Sequence, residues 1–230
     1  MKIKLLGTRG EIEESAPYHS KKSGVLIDTT LLLDCGQQSF LSYKPKALLL
    51  THLHPDHAYF VRHHEKPVTK IPIYAPEEYD DVAIQVTKKA FKIGNYTIIP
   101  IPTIHSAKVQ SNAYLIKHNG KKILYTGDMI WIEKKYHKLL KNLDLVITEA
   151  SFMRTGGMVR RKKETGQIYG HTGVPNLIKL FKPYTHVIAF MHFGAWFYKD
   201  NKQAHKEFKK LAKKYDIEII VGYDGLEIVI

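Results

Sequence analysis

Apolar residues recur along this chain in short runs separated by turn residues. Val25–Ile27, Leu31–Leu33, Ala47–Leu50, Ile98–Ile101, Ile123–Tyr125, Leu145–Ile147, Val187–Phe190 and Ile217–Val221 are each too short for a helix and rich in β-branched or leucine side chains, which predicts strands. The period changes near the C-terminus. Ala204, Phe208, Leu211, Ala212 and Tyr215 fall at spacings of three and four, with Lys206, Lys209, Lys210, Lys213 and Lys214 between them, so an amphipathic helix is expected over about 202–214. A second helix is predicted to start at Val174-Pro175, where proline suits a first turn, and to end near Lys182 before Pro183. Further helices are expected over Pro76–Phe91 and Glu133–Lys141. The segment Ile217–Ile230 reads as strand, turn, strand, with Asp224-Gly225 as the tight turn. Met153–Gly170 carries Gly156-Gly157 and then Arg160-Arg161-Lys162-Lys163, and is expected to be a mobile basic loop, with 158–165 at its centre. Strands and helices alternate, so the fold class is α/β, with sheets covered by helices.

At 230 residues the chain is long enough for one sizeable core, so a single domain over 1–230 is expected, open to construction from two similar halves. Lys and Arg number 35 against 22 Asp and Glu, a net charge of +13 that favours polyanionic partners such as nucleic acid or phosphorylated metabolites. The lone Cys35 excludes an intramolecular disulfide framework and a cysteine-rich zinc module, and fits a small buried residue in a reducing cytosol. No signal-like or membrane-spanning apolar stretch occurs. A soluble, cytoplasmic protein is therefore expected, with no membrane partner.

Thirteen histidines change the picture, because of where they lie. Thr51-His52-Leu53-His54-Pro55-Asp56-His57 follows the apolar run Ala47–Leu50 directly. Four potential metal ligands within six residues cannot share one direction on a helix or strand, but a loop leaving a strand can wrap them around one or two cations. A histidine-rich surface loop with Pro55 as a turn residue is the plain alternative. The placement then repeats: His105 follows Ile98–Ile104, Asp128 follows Ile123–Gly127, and His192 follows Val187–Met191. Imidazole and carboxylate without thiolate suit zinc, manganese or iron.

This order, His-x-His-x-Asp-His, a lone His, Tyr-Thr-Gly-Asp and a final His, resembles the metallo-β-lactamase fold superfamily. The resemblance implies a four-layer αβ/βα sandwich, two sheets face to face with helices outside, and a metal site at one edge between the sheets. It implies two divalent metal ions, zinc first and manganese or iron as alternatives, with His52, His54 and His105 on one, Asp56, His57 and His192 on the other, and Asp128 bridging. Asp34 matches a residue that supports the ligands without binding metal.

Three more segments resemble a branch of the superfamily. Leu6-Gly7-Thr8-Arg9-Gly10 with Leu33-Asp34-Cys35-Gly36, then Glu149-Ala150-Ser151-Phe152, Gly170-His171-Thr172 and His192-Phe193, resemble ribonuclease Z; Gly222–Ile228 resembles the ending of the phosphoribosyl cyclic phosphate phosphodiesterases. Both relatives cleave phosphodiesters. The implied activity is hydrolysis by a metal-activated hydroxide on a nucleotide-type or short nucleic-acid substrate, with Asp56 orienting the nucleophile. His171 would stabilise the phosphate or protonate the leaving group, and Glu149 would hold His171 in its working tautomer. His171 and His192 compete for the last ligand position, and His192 is preferred because it ends a buried strand; a histidine leading into a helix, without catalytic work, is the plain reading of His171. No glycine-rich basic arm lies between His57 and His105, and Phe193-Gly194-Ala195-Trp196-Phe197 replaces the usual Ser-x-Arg-Tyr, so transfer RNA processing does not follow. Hydrolysis of a carboxylic ester, thioester or lactam is the alternative activity, and non-catalytic nucleic-acid binding a second. The expected partner is an anionic phosphorylated substrate, with single-stranded RNA or DNA as a further candidate recruited by Arg160–Lys163 and stacked on Phe152, Tyr169, Trp196 or Phe197. Self-association as a homodimer is left open.

Overall fold

The computed structural model describes residues 1–67, 69–80 and 82–230. Its strands in chain order are β1 (Lys2–Gly7), β2 (Gly24–Ile27), β3 (Leu31–Leu33), β4 (Ala47–Leu49), β5 (Ile73–Ala75), β6 (Ile84–Val86), β7 (Phe91–Ile93), β8 (Tyr96–Ile104), β9 (Asn112–His118), β10 (Lys121–Tyr125), β11 (Trp131–Ile132), β12 (Leu145–Ala150), β13 (Met158–Arg161), β14 (Ile168–His171), β15 (Val187–Phe193), β16 (Glu218–Val221) and β17 (Glu227–Val229). The α-helices are α1 (Val174–Phe181), α2 (Ala195–Lys199) and α3 (Asn201–Tyr215).

Two mixed sheets result. The first runs β17-β1-β2-β3-β4-β5-β6, antiparallel as far as β3 and parallel from there. The second runs β11-β8-β9-β10-β12-β15-β16, with β7 also on β8, again antiparallel at first and parallel beyond β10. Each sheet thus repeats one plan, a meander continued by parallel strands.

Strand alternation decides what fills the space between. Leu5, Val25, Leu33 and Leu49 of the first sheet share one buried cluster with Ile98, Ile116, Tyr125, Ile147 and Met191 of the second, so the sheets pack face to face. On the second sheet's outer face Leu115, Val146, Ile188 and Phe190 receive Leu177, Phe181 and Phe208 from α1 and α3. The first sheet's outer face is covered by Phe40 and Phe60, which sit on short 3₁₀ helices. This is the α/β sandwich of two facing sheets with helices outside. Among the described residues no helix is long and apolar enough to cross a membrane.

The predicted strands are present, as are the helices at 174 and 202–214, and Asp200 caps α3 by accepting the Gln203 N–H at 2.9 Å. Four expectations need correction. Pro76–Phe91 is not a helix; β6 lies within it and β7 begins at its end, while Asp81 lies outside the described residues. The β-branched Ile84 and Val86 pair with β5, so sheet pairing wins over local propensity. Glu133–Lys141 forms a 3₁₀ helix over Lys134–Leu140 rather than an α-helix. The C-terminal strands do not pair with each other: β16 joins β15 in one sheet and β17 joins β1 in the other, so Asp224-Gly225 turns between layers. Finally, the basic segment is the β13–β14 hairpin, with Arg160 opposite Tyr169 and Arg161 opposite Ile168.

Candidate metal centre

Every predicted ligand lies at a strand end or in a loop that leaves one. After β4 the chain turns tightly: the N–H groups of His57 and Ala58 both donate to His54 O, at 3.0 and 2.8 Å, which folds Asp56 and His57 back beneath His52 and His54. Cys35 N donates to His57 O at 2.7 Å and anchors the turn to the end of β3. Cys35 itself is buried and its thiol is pushed up by burial and by Asp34, so it stays a thiol. His105 follows β8. Asp128 follows β10 through Gly127, whose φ of +57° and whose approach to Thr51 leave no room for a side chain: a Cβ there would stand 2.4 Å from Thr51 Oγ1.

His192 reaches the centre by a bulge. Glu149 pairs with Met191 and Ala150 with Phe193, so His192 is an extra residue in β15, and its φ is +53°. Such a bulge re-aims a side chain at the cost of local backbone strain. Met191 therefore faces the space between the sheets, Phe193 the helices, and His192 the site.

Two donor groups converge. In one, His52 Nε2 and His105 Nε2 stand 3.0 and 3.3 Å from His54 Nδ1. In the other, His57 Nε2 is 3.8 Å and His192 Nε2 is 3.6 Å from Asp56 Oδ2. Asp128 lies between: Oδ2 is 3.9 Å from His52 Nε2 and 3.8 Å from His105 Nε2, while Oδ1 is 3.3 Å from both His57 Nε2 and His192 Nε2. Donors held at ~2.0–2.1 Å from one tetrahedral cation stand about 3.3–3.4 Å apart, so both groups have the right size. His57 Nε2 and Asp128 Oδ1 are buried without a hydrogen-bond partner. Polar atoms left bare in this way are what a cation would satisfy. The site fits a divalent metal.

The second ring nitrogens are committed elsewhere, which fixes the ring orientations. His52 Nδ1 meets Thr51 Oγ1 at 3.0 Å, His105 Nδ1 donates to Gly170 O at 3.0 Å, and His192 Nδ1 meets Ser23 Oγ at 2.7 Å. His57 Nδ1 donates to Asp34 Oδ2 at 2.7 Å. Asp34, fully buried with φ +55°, also accepts from Thr51 N at 2.7 Å and Tyr125 Oη at 2.7 Å. Sequence reasoning finds Asp34 and misses Ser23, Thr51, Tyr125 and Gly170 as supports. Their only signal is proximity in space.

Electrostatics divide the groups. Burial and the neighbouring imidazoles hold His52 well below the usual histidine range and bring His54 down to about 4, and burial lowers His105. These three are neutral and ready to donate lone pairs. Burial also opposes charge on His57, but Asp128, Asp34 and Asp56 outweigh it and raise its pKa well above the usual value. Asp128 resists burial through His192 and His57 and stays well below the carboxylate range.

His171, at the end of β14, is not in either ring of donors. Its Nδ1 lies 2.8 and 3.0 Å from the oxygens of buried Glu149, which itself accepts Met129 N at 2.7 Å. That nitrogen also lies 3.9 Å from Asp128 Oδ2, close enough to join a further donor group were it not already spent on Glu149. Burial lowers its affinity for a proton, yet Glu149, Asp128 and Asp56 prevail and raise its pKa to about 9. His54, Asp56, Asp128, His171, His192 and Trp196 line a cavity of about 350 Å³ over the centre. A larger groove, about 600 Å³, runs past His105 over Pro100 and Pro102 and contains none of the other donors. The smaller cavity is the one at the chemistry.

A profile of the Beta-lactamase superfamily domain matches residues 25–192. The chain belongs to the β-lactamase superfamily. Members of this superfamily are metal-dependent hydrolases, and the match spans every donor named above. Among solved structures, the metallo-β-lactamase fold protein YhfI from Bacillus subtilis aligns over 99% of this chain and 98% of its own at 20% identity and TM-score 0.67. A diphosphatase of the PhnP family aligns over 99% and 96% at 15% identity and TM-score 0.69. The short form of human tRNase Z aligns over 100% and 99% at 18% identity and TM-score 0.64. At these identities the likeness is one of fold. A search of curated proteins finds no match.

Proposed function

We propose that this superfamily member is a phosphodiesterase that works with two divalent metal ions, zinc in the first instance, on a nucleotide-type or short nucleic-acid substrate. His52, His54 and His105 would hold one ion and Asp56, His57 and His192 the other, with Asp128 shared. Bound there, such a pair supplies charge for the phosphate and brings the pKa of a water towards ~7.

The observation that carries the reading is the His171–Glu149 pair beside the shared carboxylate. A phosphodiester is an anion whose leaving oxygen departs as an alkoxide unless it is protonated. Glu149 occupies Nδ1 of His171 and leaves Nε2 as the free ring nitrogen, on a side chain that lines the cavity. Its pKa of about 9 keeps the ring protonated at neutral pH, so it attracts the phosphate and can deliver the proton that the leaving oxygen needs. A thioester, which expels a thiolate, has less need of such an acid. Asp56, also facing the cavity, is placed to accept a hydrogen bond from the attacking water and so orient it. Phe152 and Trp196 supply apolar walls, Trp196 fixed by its Nε1–H to Ala150 O at 2.8 Å. The net charge of +13 fits an anionic substrate, and the lone, buried Cys35 fits a cytosolic location.

The test is turnover by the zinc- or manganese-loaded protein on bis-p-nitrophenyl phosphate, a cyclic nucleotide, a thioester and a lactam. Phosphodiester hydrolysis is expected. Turnover confined to the thioester or lactam would overturn the proposal.

A further inference from the structure

The β13–β14 hairpin stands on the metal centre itself. Gly170 N donates to His105 O at 2.6 Å and Gly170 O accepts from His105 Nδ1 at 3.0 Å, so one ligand and the hairpin hold each other in place. Residues opposite each other on paired strands share a face, and the face recurs every second residue. Met158 opposes His171 and Arg160 opposes Tyr169. Beyond the strands, Lys162 N donates to Gln167 O at 2.9 Å, so the pairing continues one step further. One face therefore presents, in order outward from the cavity, His171 with Met158, then Tyr169 with Arg160, then Lys162, whose opposite residue Gln167 turns its amide away to donate to Ser106 O at 3.4 Å. Met158 and His171 both line the cavity, and Arg160 is exposed. On the opposite face Gly170 lies against His105 and Ile168 lines the neighbouring groove, while Val159 and Arg161 are exposed.

We infer that the cavity-side face of this hairpin is a track for single-stranded nucleic acid, with Arg160 and Lys162 for phosphates and Tyr169 for a base. This deepens the phosphodiesterase reading and rests on it for direction, the scissile linkage lying at the His171 end. The four steps from Met158 to Lys162 span about 14 Å at ~3.4 Å each, the length of roughly four stacked nucleotides. Inside the cavity the aromatic character continues with Phe152, over whose ring Arg154 stands at 5.8 Å. Cations that follow a backbone together with aromatic faces for bases are what sequence-tolerant single-strand binding requires. A mononucleotide would occupy the cavity and leave the track unused. Phe197, the remaining aromatic expected to stack on bases, instead packs in the core against Phe193 at 4.0 Å.

The test is fluorescence anisotropy of the metal-loaded protein with nuclease-resistant eight-nucleotide strands, one 2′-O-methyl RNA and one DNA, both with phosphorothioate linkages. Arg160→Ala with Lys162→Ala should weaken binding at least tenfold. It should also reduce the slope of log affinity against log salt by ~1.4, about 0.7 for each phosphate no longer neutralised. Tyr169→Ala should weaken binding at least fivefold with the salt slope unchanged. Arg160→Lys with Lys162→Arg should retain affinity, and the thermal midpoints of all variants should match wild type. Tighter binding of one strand supports the track and identifies its sugar. Unchanged affinity in the alanine variants would overturn it, as would competition by inorganic polyphosphate equal to that of the strands with no effect of Tyr169→Ala. Binding is read without turnover. A protein that binds these strands but leaves both bis-p-nitrophenyl phosphate and the cyclic nucleotide intact would keep the track and lose the phosphodiesterase reading, and the converse result would separate them the other way.

Discussion

The two sides of the centre are fed by one loop yet are built on different physics. The three-imidazole side, His52, His54 and His105, is neutral and takes its order from the Gly170 backbone carbonyl and from Thr51, which links it to Asp34 at one remove by donating to that carboxyl at 2.9 Å. The carboxylate side, Asp56, His57 and His192, has His57 held directly by the buried carboxyl of Asp34 and His57 inclined to carry a proton before any cation arrives. A neutral donor set gives up nothing when it binds a cation. A protonated one must first release a proton, so the sides should differ in sensitivity to pH and to mutation. Asp128 belongs to both and couples them.

The largest effect is expected where the comparison breaks down altogether. Asp128→Asn removes the charge that both sides share, and metal content measured by atomic emission should fall on both, with turnover lost by more than the ~10–100-fold that outer-shell changes cost. Selective loss from one side would show that Asp128 does not bridge. Next comes the division between His171 and His192. His171→Ala should leave metal content near wild type while turnover drops ~10²-fold. In wild type, activity should fall as pH rises through about 9, where His171 loses its proton, and this limb should vanish in the variant. His192→Ala should lose metal from the carboxylate side. If the metal contents were reversed, so would be the two roles.

A third variant tests the buried carboxyl. Asp34→Asn should weaken metal binding on the carboxylate side, where Asp34 holds His57 directly, by ~10–100-fold and affect the three-imidazole side less, since an amide oxygen can still accept from Thr51; competition with a chromophoric chelator would resolve the two steps. Equal weakening of both steps would mean that Asp34 holds the whole fold of the site rather than His57. The smallest effect concerns protons alone. Because the folded pKa of His57 is raised well above the ordinary value, uptake of metal on its side at neutral pH should release a proton, and affinity there should strengthen as pH rises. The imidazole side should release none, since His54 stays neutral until pH approaches about 4. Calorimetry in buffers of different ionisation enthalpy measures this directly. Proton release from both steps would erase the difference.

How far the sequence carries is plain from particular residues. β2, β3, β4, β8, β10, β12, β15 and β16 are legible because apolar runs are local, whereas β1, β5 and β9 lie outside those runs, and the loop 52–57 stands out because four ligand side chains directly follow an apolar strand. Glu149 reads as the partner of His171, and the structure places the two at 2.8 Å. The stretch 76–91 reads wrongly as helix because Ile84 and Val86 take their conformation from β5, a neighbour the local pattern does not reveal. The basic stretch reads as a loop because its Gly and Lys content resembles one, while its order comes from pairing and from the hydrogen bonds between Gly170 and His105.

The sequence by itself determined the α/β class, the supply of donors and their arrival at strand ends, because these depend on side-chain chemistry and on spacing within a few residues. Only the tertiary structure decided how those donors divide. The two oxygens of Asp128 turn to opposite sides, Ser23 fixes His192 across 169 residues of chain, and a bulge in β15 aims it. Those outcomes depend on contacts between distant segments, and only the packing of the two sheets brings them within hydrogen-bonding range.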